Sequence, residues 1–165
     1  MFDDLNGLEE KYPRPFFLNV GRLSKEKNLD AFLSLDLPGT KIIVGEGPDE
    51  GRLQKKFPNA VFLGKMTGTA LADIYRLVDV FTFPSCFDTF GLVNIESIAC
   101  GTPVAAFPTP GPIDIIEQGI TGYCNADLRA ACMAALALGP VAGNFSWKTA
   151  TDQFVSHLQF RKLSS

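Results

Sequence analysis

The sequence has few of the residues that bind transition metals. It contains one histidine, His157, and four irregularly spaced cysteines, none of them in a Cys-x-x-Cys pair. Zinc sites combine histidines and cysteines at short, regular spacings. The sequence therefore predicts no metal site, and we expect the cysteines to be reduced thiols that are mostly buried as small apolar side chains. They are Cys86, Cys100, Cys124 and Cys132.

Long apolar runs and an excess of basic charge are also lacking. Although 46% of the residues are hydrophobic, no apolar run approaches the roughly 20 residues that a membrane-spanning helix needs. The acidic start, MFDDLNGLEEKYPRP, lacks the apolar segment of a signal peptide. We therefore expect a cytoplasmic protein without a transmembrane segment. A net charge of -3 excludes a general nucleic-acid binder, which would carry a basic face.

What the sequence does have, from residue 16 onward, is a regular alternation of short apolar runs with helical patterns. The runs are continuous and end at glycine, proline or serine, which is typical of strands covered on both faces. Six alternations of a strand-like run with a helical pattern predict a single α/β domain, a Rossmann-like doubly wound parallel sheet of about six strands. The predicted strands are FFLNVG (16–21), KIIVGEG (41–47), AVFLG (60–64), VDVFTFPS (78–85), PVAAFP (103–108) and the weaker TGYCN (121–125). The predicted helices are NLDAFLSL, DEGRLQKKF, TALADIYRLV, LVNIESIAC, IDIIEQG and DLRAACMAALAL.

The two ends of the chain follow other patterns. Residues 1–15 are predicted to be a linker from a preceding domain, and residues 16–165 to form the sheet domain with a C-terminal helix. Ser146 can cap that helix. The apolar stripe of the helix fits either packing on the sheet or docking to another domain. It consists of Trp147, Ala150, Phe154 and Leu158.

Ligands of open parallel sheets bind outside the carboxyl ends of the strands, so a binding motif is expected in the loops that follow the strands. GEGPDEG, after the second strand, is one residue too long for a dinucleotide-binding fingerprint, and we interpret its Gly47-Pro48 as a tight turn into a helix. GRLSKEKN, after the first strand, combines Gly21 with Arg22 and Lys27. These residue types suit a phosphate site, although basic loop residues are often simply solvated.

Glu96 lies on the apolar side of a predicted helix over residues 91–100. Its neighbours three and four positions away are all apolar, so none of them can pair with the carboxylate. Burying an unpaired carboxylate is costly, so either the helix is rotated toward water or donors arrive from elsewhere. Asp88, just before the helix, can act as its cap, and Gly91 allows a ligand to approach the backbone.

At these residues the sequence resembles a known family. The stretch PSCFDTFGLVNIESIACGTPVAAFPTPGP, together with GRLSKEKN and VGEGP, is similar to the C-terminal, donor-binding domain of retaining glycosyltransferases with the GT-B fold. This large family of mannosyl-, glucosyl- and N-acetylglucosaminyl-transferases is related to bacterial glycogen synthase. The resemblance runs from about Phe16 to the end of the chain, with several separated motifs in the same order.

The resemblance implies a role for each matching residue. The family's basic pair, which holds the donor diphosphate, corresponds to Arg22 and Lys27, and its paired acids correspond to Asp88 and Glu96. The second acid accepts the ribose hydroxyls, which would give Glu96 its partner. The family usually has glutamate at the position of Asp88, so sugar preference or reach can differ here. Further contacts with the donor are implied for Gly21, Gly64, Lys65, Met66, Phe90, Gly91 and Leu92.

The resemblance also implies a reaction and its partners. The full enzyme would transfer a hexose from a UDP- or GDP-sugar to a glycan or lipid-linked acceptor in cell-envelope polysaccharide synthesis, with retention and without a metal or other cofactor. An N-terminal domain would bind the acceptor, and peripheral membrane contact by the full protein is compatible with this. The alternatives are a stand-alone, non-catalytic nucleotide-sugar-binding module, half of a UDP-sugar epimerase, or a glycoside hydrolase that uses Asp88 and Glu96.

Overall fold

A computed structural model of the chain describes residues 5–86 and 91–141 and shows one six-stranded sheet. All strand pairs are parallel, and the strand order is β3-β2-β1-β4-β5-β6. This is the order of a Rossmann fold, so the predicted fold class is confirmed. The strands are β1 (Phe16–Val20), β2 (Thr40–Val44), β3 (Val61–Phe62), β4 (Val80–Phe83), β5 (Val104–Ala106) and β6 (Gly122–Cys124).

Helices cover both faces of the sheet, as the continuous apolar runs predict. They are α1 (Asn6–Lys11), α2 (Leu29–Leu33), α3 (Glu50–Lys56), α4 (Gly68–Leu77), α5 (Leu92–Ala99), α6 (Pro112–Ile115) and α7 (Leu128–Leu138), with a short 3-10 turn at Lys25–Lys27 before α2. None of the helices in the described part of the chain has the length and apolar character to cross a bilayer.

Alternate residues along each strand enter two separate cores. Phe16 and Leu18 of β1 pack on one face with Ile74 and Ile98 of α4 and α5. Phe17, between them in sequence, packs on the other face. Successive side chains of a strand point to opposite faces. Each strand therefore needs apolar residues at both its odd and its even positions. The second core includes Leu29, Phe32, Leu53, Leu128 and Ala135 from α2, α3 and α7.

The strand order reverses between β1 and β4, and two asparagine side chains connect the strands and loops at this point. The backbone register of β1 and β4 covers only two residue pairs. Beyond them, Asn19 Nδ2 donates to the carbonyl oxygen of Thr82 at 3.0 Å. Asn28 Nδ2, after the 3-10 turn, donates to the carbonyl oxygen of Pro84 at 3.0 Å. The amides therefore fix the spacing of the loops at the crevice where Rossmann folds bind ligands.

Two segments differ from the predicted secondary structure. The segment predicted as a linker contains helix α1, whose Leu8 is fully buried in the first core. Arg14 and the backbone N–H of Phe16 both donate to Asp79, which connects this segment to the start of β4. Helix α6 has only four residues, Pro112–Ile115, and is shorter than predicted. The predicted helix after Ser146 lies outside the described residues, and the domain division stays a prediction.

Candidate nucleotide-binding site

The loops after β1 and β2 are joined into one backbone unit at the carboxyl edge of the sheet. Gly21 N–H donates to Val44 O at 3.0 Å, and Leu23 N–H donates to Glu46 O at 3.0 Å. Asp49 N–H then donates back to Leu23 O at 2.9 Å. The predicted turn at Gly47-Pro48 is present, since α3 begins at Glu50 immediately after it.

Glycine at position 45 permits this contact between the loops. A Cβ atom at Gly45 would stand 1.8 Å from the carbonyl oxygen of Gly21, and the residue has a φ of +140°. Gly47 is constrained by packing alone, because its Cβ would stand 2.4 Å from the carbonyl oxygen of Leu23. The glycines of GEGP therefore serve close loop packing, which agrees with rejecting a dinucleotide fingerprint.

A pocket of about 290 Å³ opens beside these loops, at the carboxyl ends of β1 and β2 and next to the loop after β3. It brings together four residues that the resemblance implicates, from loops 44 residues apart in sequence at Gly21 and Lys65. Arg22 and Lys65 are exposed, and Met66 is half-buried. The lining consists of Val20, Gly21, Arg22, Val44, Gly45, Glu46, Lys65 and Met66.

Gly64 does not line this pocket, but it contacts the loop that does. Its carbonyl oxygen accepts the N–H of Gly45 at 2.9 Å, so the loop after β3 is connected to the loop after β2. Its φ of +77° is readily available only to glycine. The turn at Gly64 therefore directs Lys65 and Met66 toward the pocket.

Lys27 lies outside the pocket lining, at the end of the 3-10 turn. The following Asn28 has a left-handed conformation, with φ 56°, and its side chain contacts the loop after β4 through Pro84. Lys27 is therefore carried on a turn that is fixed against the switch point between β1 and β4. The structure brings Gly21, Arg22, Lys65 and Met66 together and places Lys27 on the adjoining segment.

The start of α5 is the other predicted part of the site. Gly91 precedes the helix with a φ of +52°, and a Cβ there would stand 2.8 Å from Asn94 Nδ2. The side of Gly91 where a side chain would project is therefore filled by protein, and its conformation explains the glycine. Leu92 is the first helical residue, where backbone N–H groups have no partner within the helix. Asp88 and Phe90 lie outside the described residues.

Asn94, in the first turn of α5, is a buried polar residue that the sequence analysis did not identify. Its side chain is fully buried, and neither amide atom has a hydrogen-bond partner within the part of the chain that the structure describes. Buried polar groups of native proteins are nearly always paired. Within the described residues, the Asn94 amide therefore has unused hydrogen-bonding capacity in the first turn of α5.

Glu96 obtains its partner from another helix. Tyr75 Oη on α4 donates to Glu96 Oε2 at 2.9 Å. Glu96 is half-buried, and burial raises the pKa of its carboxyl, while the hydrogen bond from Tyr75 lowers that pKa by a smaller amount. No lysine or arginine among residues 5–86 and 91–141 forms an ion pair with it. The absence of a local partner is confirmed, and a neutral donor explains how the carboxylate is accommodated.

With this geometry established, comparison with known proteins shows the family. The profile of the family described as glycosyl transferases group 1 matches residues 3–134, which is most of the chain. The chain belongs to this glycosyltransferase family. It is 40% identical over 111 residues to a GDP-mannose-dependent alpha-mannosyltransferase of Mycobacterium tuberculosis, a match that covers 66% of this chain and 29% of the relative. It is 39% identical over 126 residues to a sulfoquinovosyl transferase of Arabidopsis thaliana, covering 72% of this chain and 24% of that protein.

Solved glycosyltransferase structures share the fold. Sucrose-phosphate synthase from Thermosynechococcus elongatus superimposes with a TM-score of 0.70 at 24% identity, covering 92% of this chain and 46% of that one. The pneumococcal O-GlcNAc transferase in complex with UDP and GlcNAc gives a TM-score of 0.63 at 24% identity, covering 75% of this chain and 28% of that one. This glycosyltransferase chain therefore spans less than half the length of these proteins.

Three residues at or near the candidate site of this glycosyltransferase domain were not predicted from the sequence, each for a different reason. Glu46 follows β2 at the same edge as Arg22, but in the motif VGEGP the resemblance implied no role for it. Tyr75 lies 21 residues from Glu96 on a separate helix, so no local spacing predicts the contact. Asn94 stands in the first turn of the predicted helix, where an internal polar residue facing the sheet gives a weak signal.

Proposed function

We propose that this chain is the donor-binding half of a retaining glycosyltransferase that transfers a hexose from a UDP- or GDP-sugar to a glycan or lipid-linked acceptor. The observation that supports this most is the pocket at the carboxyl ends of β1 and β2, where Arg22 and Lys65 meet at one opening. Rossmann folds bind nucleotides at this edge. We infer a cytoplasmic enzyme of cell-envelope polysaccharide synthesis, and its acceptor site would lie on a domain beyond this chain.

The proposed phosphate subsite consists of Arg22, Lys27 and the start of α5. Arg22 offers a planar fork of donors to the diphosphate, and Lys27 adds a second positive charge. These charges stabilise the leaving diphosphate as the glycosidic bond to the sugar breaks, so no metal is needed for charge neutralisation. Backbone groups at Gly21, Gly91 and Leu92 complete the contacts with the donor, and Asp88 and Phe90 are proposed to contact the sugar.

The proposed nucleoside subsite consists of the loop after β3 and the carboxylate of Glu96. The base would contact Gly64, Lys65 and Met66, the last of which offers an adaptable apolar surface. Glu96 would accept hydrogen bonds from the ribose hydroxyls, which are donors suited to a half-buried carboxylate. The base stays open between uracil and guanine, because a similar mannosyltransferase is GDP-mannose-dependent and a structure of similar fold contains UDP.

Calorimetric titration with GDP, UDP and ADP tests the proposal. The 165-residue chain should bind GDP or UDP weakly and more tightly than ADP, and should transfer no sugar from the corresponding nucleotide sugar. Absence of binding by any of the three nucleotides would contradict the proposal. Measurable sugar transfer by the pure chain would contradict the placement of the acceptor site on another domain.

Glu96→Gln is expected to weaken nucleotide binding about fivefold at pH 7, because an ionised acceptor of ribose hydroxyls becomes neutral, at a cost of about 1 kcal/mol. The wild-type affinity should also fall as the pH is lowered through the raised pKa of Glu96, since protonation removes the carboxylate. The variant should bind with no such pH dependence. Titrations between pH 5 and pH 8 check this, and equal affinities of the two proteins throughout would exclude Glu96 from the site.

A further inference from the structure

Tyr75 holds the carboxylate of Glu96 from the neighbouring helix. Its hydroxyl oxygen lies 2.9 Å from Glu96 Oε2. Tyr75 itself is 1% exposed, so the hydroxyl has no competing contact with bulk water. The remaining carboxylate oxygen, Oε1, forms no hydrogen bond with a side chain within the described part of the protein.

Further contacts hold Tyr75 in place. Thr102 Oγ1 donates to the backbone carbonyl of Tyr75, and Ser97 Oγ donates to the carbonyl oxygen of Thr102 at 2.9 Å. The Tyr75 ring packs on Phe81 of β4, with 5.6 Å between the ring centroids. The bonds form a closed network. Ser97 on α5 bonds to Thr102, Thr102 bonds to Tyr75 on α4, and Tyr75 bonds back to Glu96, the residue before Ser97.

We propose that Tyr75 is a positioning residue for nucleotide recognition, which fixes Glu96 so that one carboxylate oxygen accepts from the phenol and the other accepts from a ribose hydroxyl. This inference rests on the proposed donor site, in which Glu96 binds the ribose. Tyr75 touches no ligand in this arrangement. Its contribution is to hold the carboxylate in one rotamer before the nucleotide arrives.

The electrostatics of the pair suit this arrangement. Burial and the nearby carboxylate raise the pKa of Tyr75 far above its ordinary value, so the phenol remains a donor at every working pH. The hydrogen bond from Tyr75 opposes the burial that raises the pKa of Glu96. Among the described residues, the other titratable groups near the pair are Cys100, directly after α5, whose thiol pKa is raised mainly by burial, and Asp73 and Arg76 on α4, which act on that thiol.

Tyr75→Phe tests the inference, because it removes only the hydroxyl and keeps the ring against Phe81. The nucleotide, GDP or UDP, is the one that wild-type protein binds more tightly. We expect about fivefold weaker binding of it to the variant, which corresponds to one lost hydrogen-bond contribution. The 2′,3′-dideoxy form of the same nucleotide should bind equally to both proteins, since it has no ribose hydroxyl for Glu96 to accept. Tyr123→Phe, which removes a hydroxyl from β6 at the sheet edge, is the matched control and should bind as wild type.

The pH dependence of binding gives a second readout. Without the phenol, the pKa of Glu96 should rise further, because the hydrogen bond that lowers it is lost. The affinity of Tyr75→Phe should therefore begin to fall at a higher pH than that of the wild type. Thermal unfolding of each variant verifies that it is folded at the temperature of the titration.

The outcomes separate this inference from the proposed function. If wild-type protein binds no nucleotide, the proposed function itself fails. If Glu96→Gln weakens binding but Tyr75→Phe leaves affinity and pH profile unchanged, only the role of Tyr75 is overturned. Equal weakening of the ribose and dideoxy forms in Tyr75→Phe would also overturn it, because a general structural effect does not depend on the hydroxyls.

Discussion

Gly45→Ala is expected to lower the free energy of unfolding by about 3 kcal/mol, the combined effect of forced overpacking and an unfavourable backbone conformation. The added methyl group would stand 1.8 Å from the carbonyl oxygen of Gly21, and the φ of +140° is one that alanine rarely adopts. The clashing atom belongs to the backbone, so the loop after β1 must move. Urea unfolding followed by circular dichroism measures the loss.

Gly51→Ala is the matched control for this prediction. Gly51 lies in helix α3, an added Cβ would meet nothing within 4 Å apart from the backbone of its own helix, and the residue does not adopt a positive φ. Alanine should therefore stabilise the protein by about 0.5 kcal/mol through its higher helix propensity. Equal stability of Gly45→Ala and wild type would show that the carbonyl oxygen of Gly21 does not lie against Gly45.

Arg22→Gln is expected to weaken binding of the nucleoside diphosphate by roughly 10- to 100-fold, because charge-assisted hydrogen bonds contribute about 1.5–3 kcal/mol each. Binding of the corresponding nucleoside, which has no phosphate, should change little. The effect should diminish at high salt, since ions screen the exposed guanidinium. Titrations of diphosphate and nucleoside at two salt concentrations measure these differences.

Lys55→Gln removes one positive charge, as Arg22→Gln does, but at a position away from the pocket. Lys55 is exposed in the last turn of α3 and does not line the pocket, so this variant controls for the change in net charge. Its affinity should remain near that of wild type. If both substitutions weaken diphosphate binding equally, the attraction comes from the overall field of the protein, and Arg22 has no specific phosphate contact.

The sheet could be predicted from the sequence because its signals are local. Each strand is a continuous apolar run closed by a turn residue. Burial of both faces of the sheet requires consecutive residues of a strand to be apolar. Helix α5, predicted over residues 91–100, begins and ends within one residue of that range. Helix α1 was missed because Leu8 is the one fully buried core residue within an otherwise largely polar helix.

The site was only partly predictable because its contacts join distant parts of the chain. The pairing of Arg22 with Lys65 at one pocket depends on β1, β2 and β3 being neighbours, which the strand order supplies. The donor for Glu96 could not be predicted, since Tyr75 is one of several apolar-face residues on a different helix. The reason for Gly45 is likewise visible only when the backbone of Gly21 is in place.

The two asparagine amides at the switch point have a consequence for the thermodynamics of binding. Asn19 and Asn28 connect β1 and its loop to the residues at the end of β4 through hydrogen bonds of 3.0 Å. These bonds hold the end of β1 and the turn at Asn28 against the end of β4. If the proposed diphosphate binds between them, it would not have to restrict these parts of the backbone, and its affinity would not be reduced by that loss of conformational entropy.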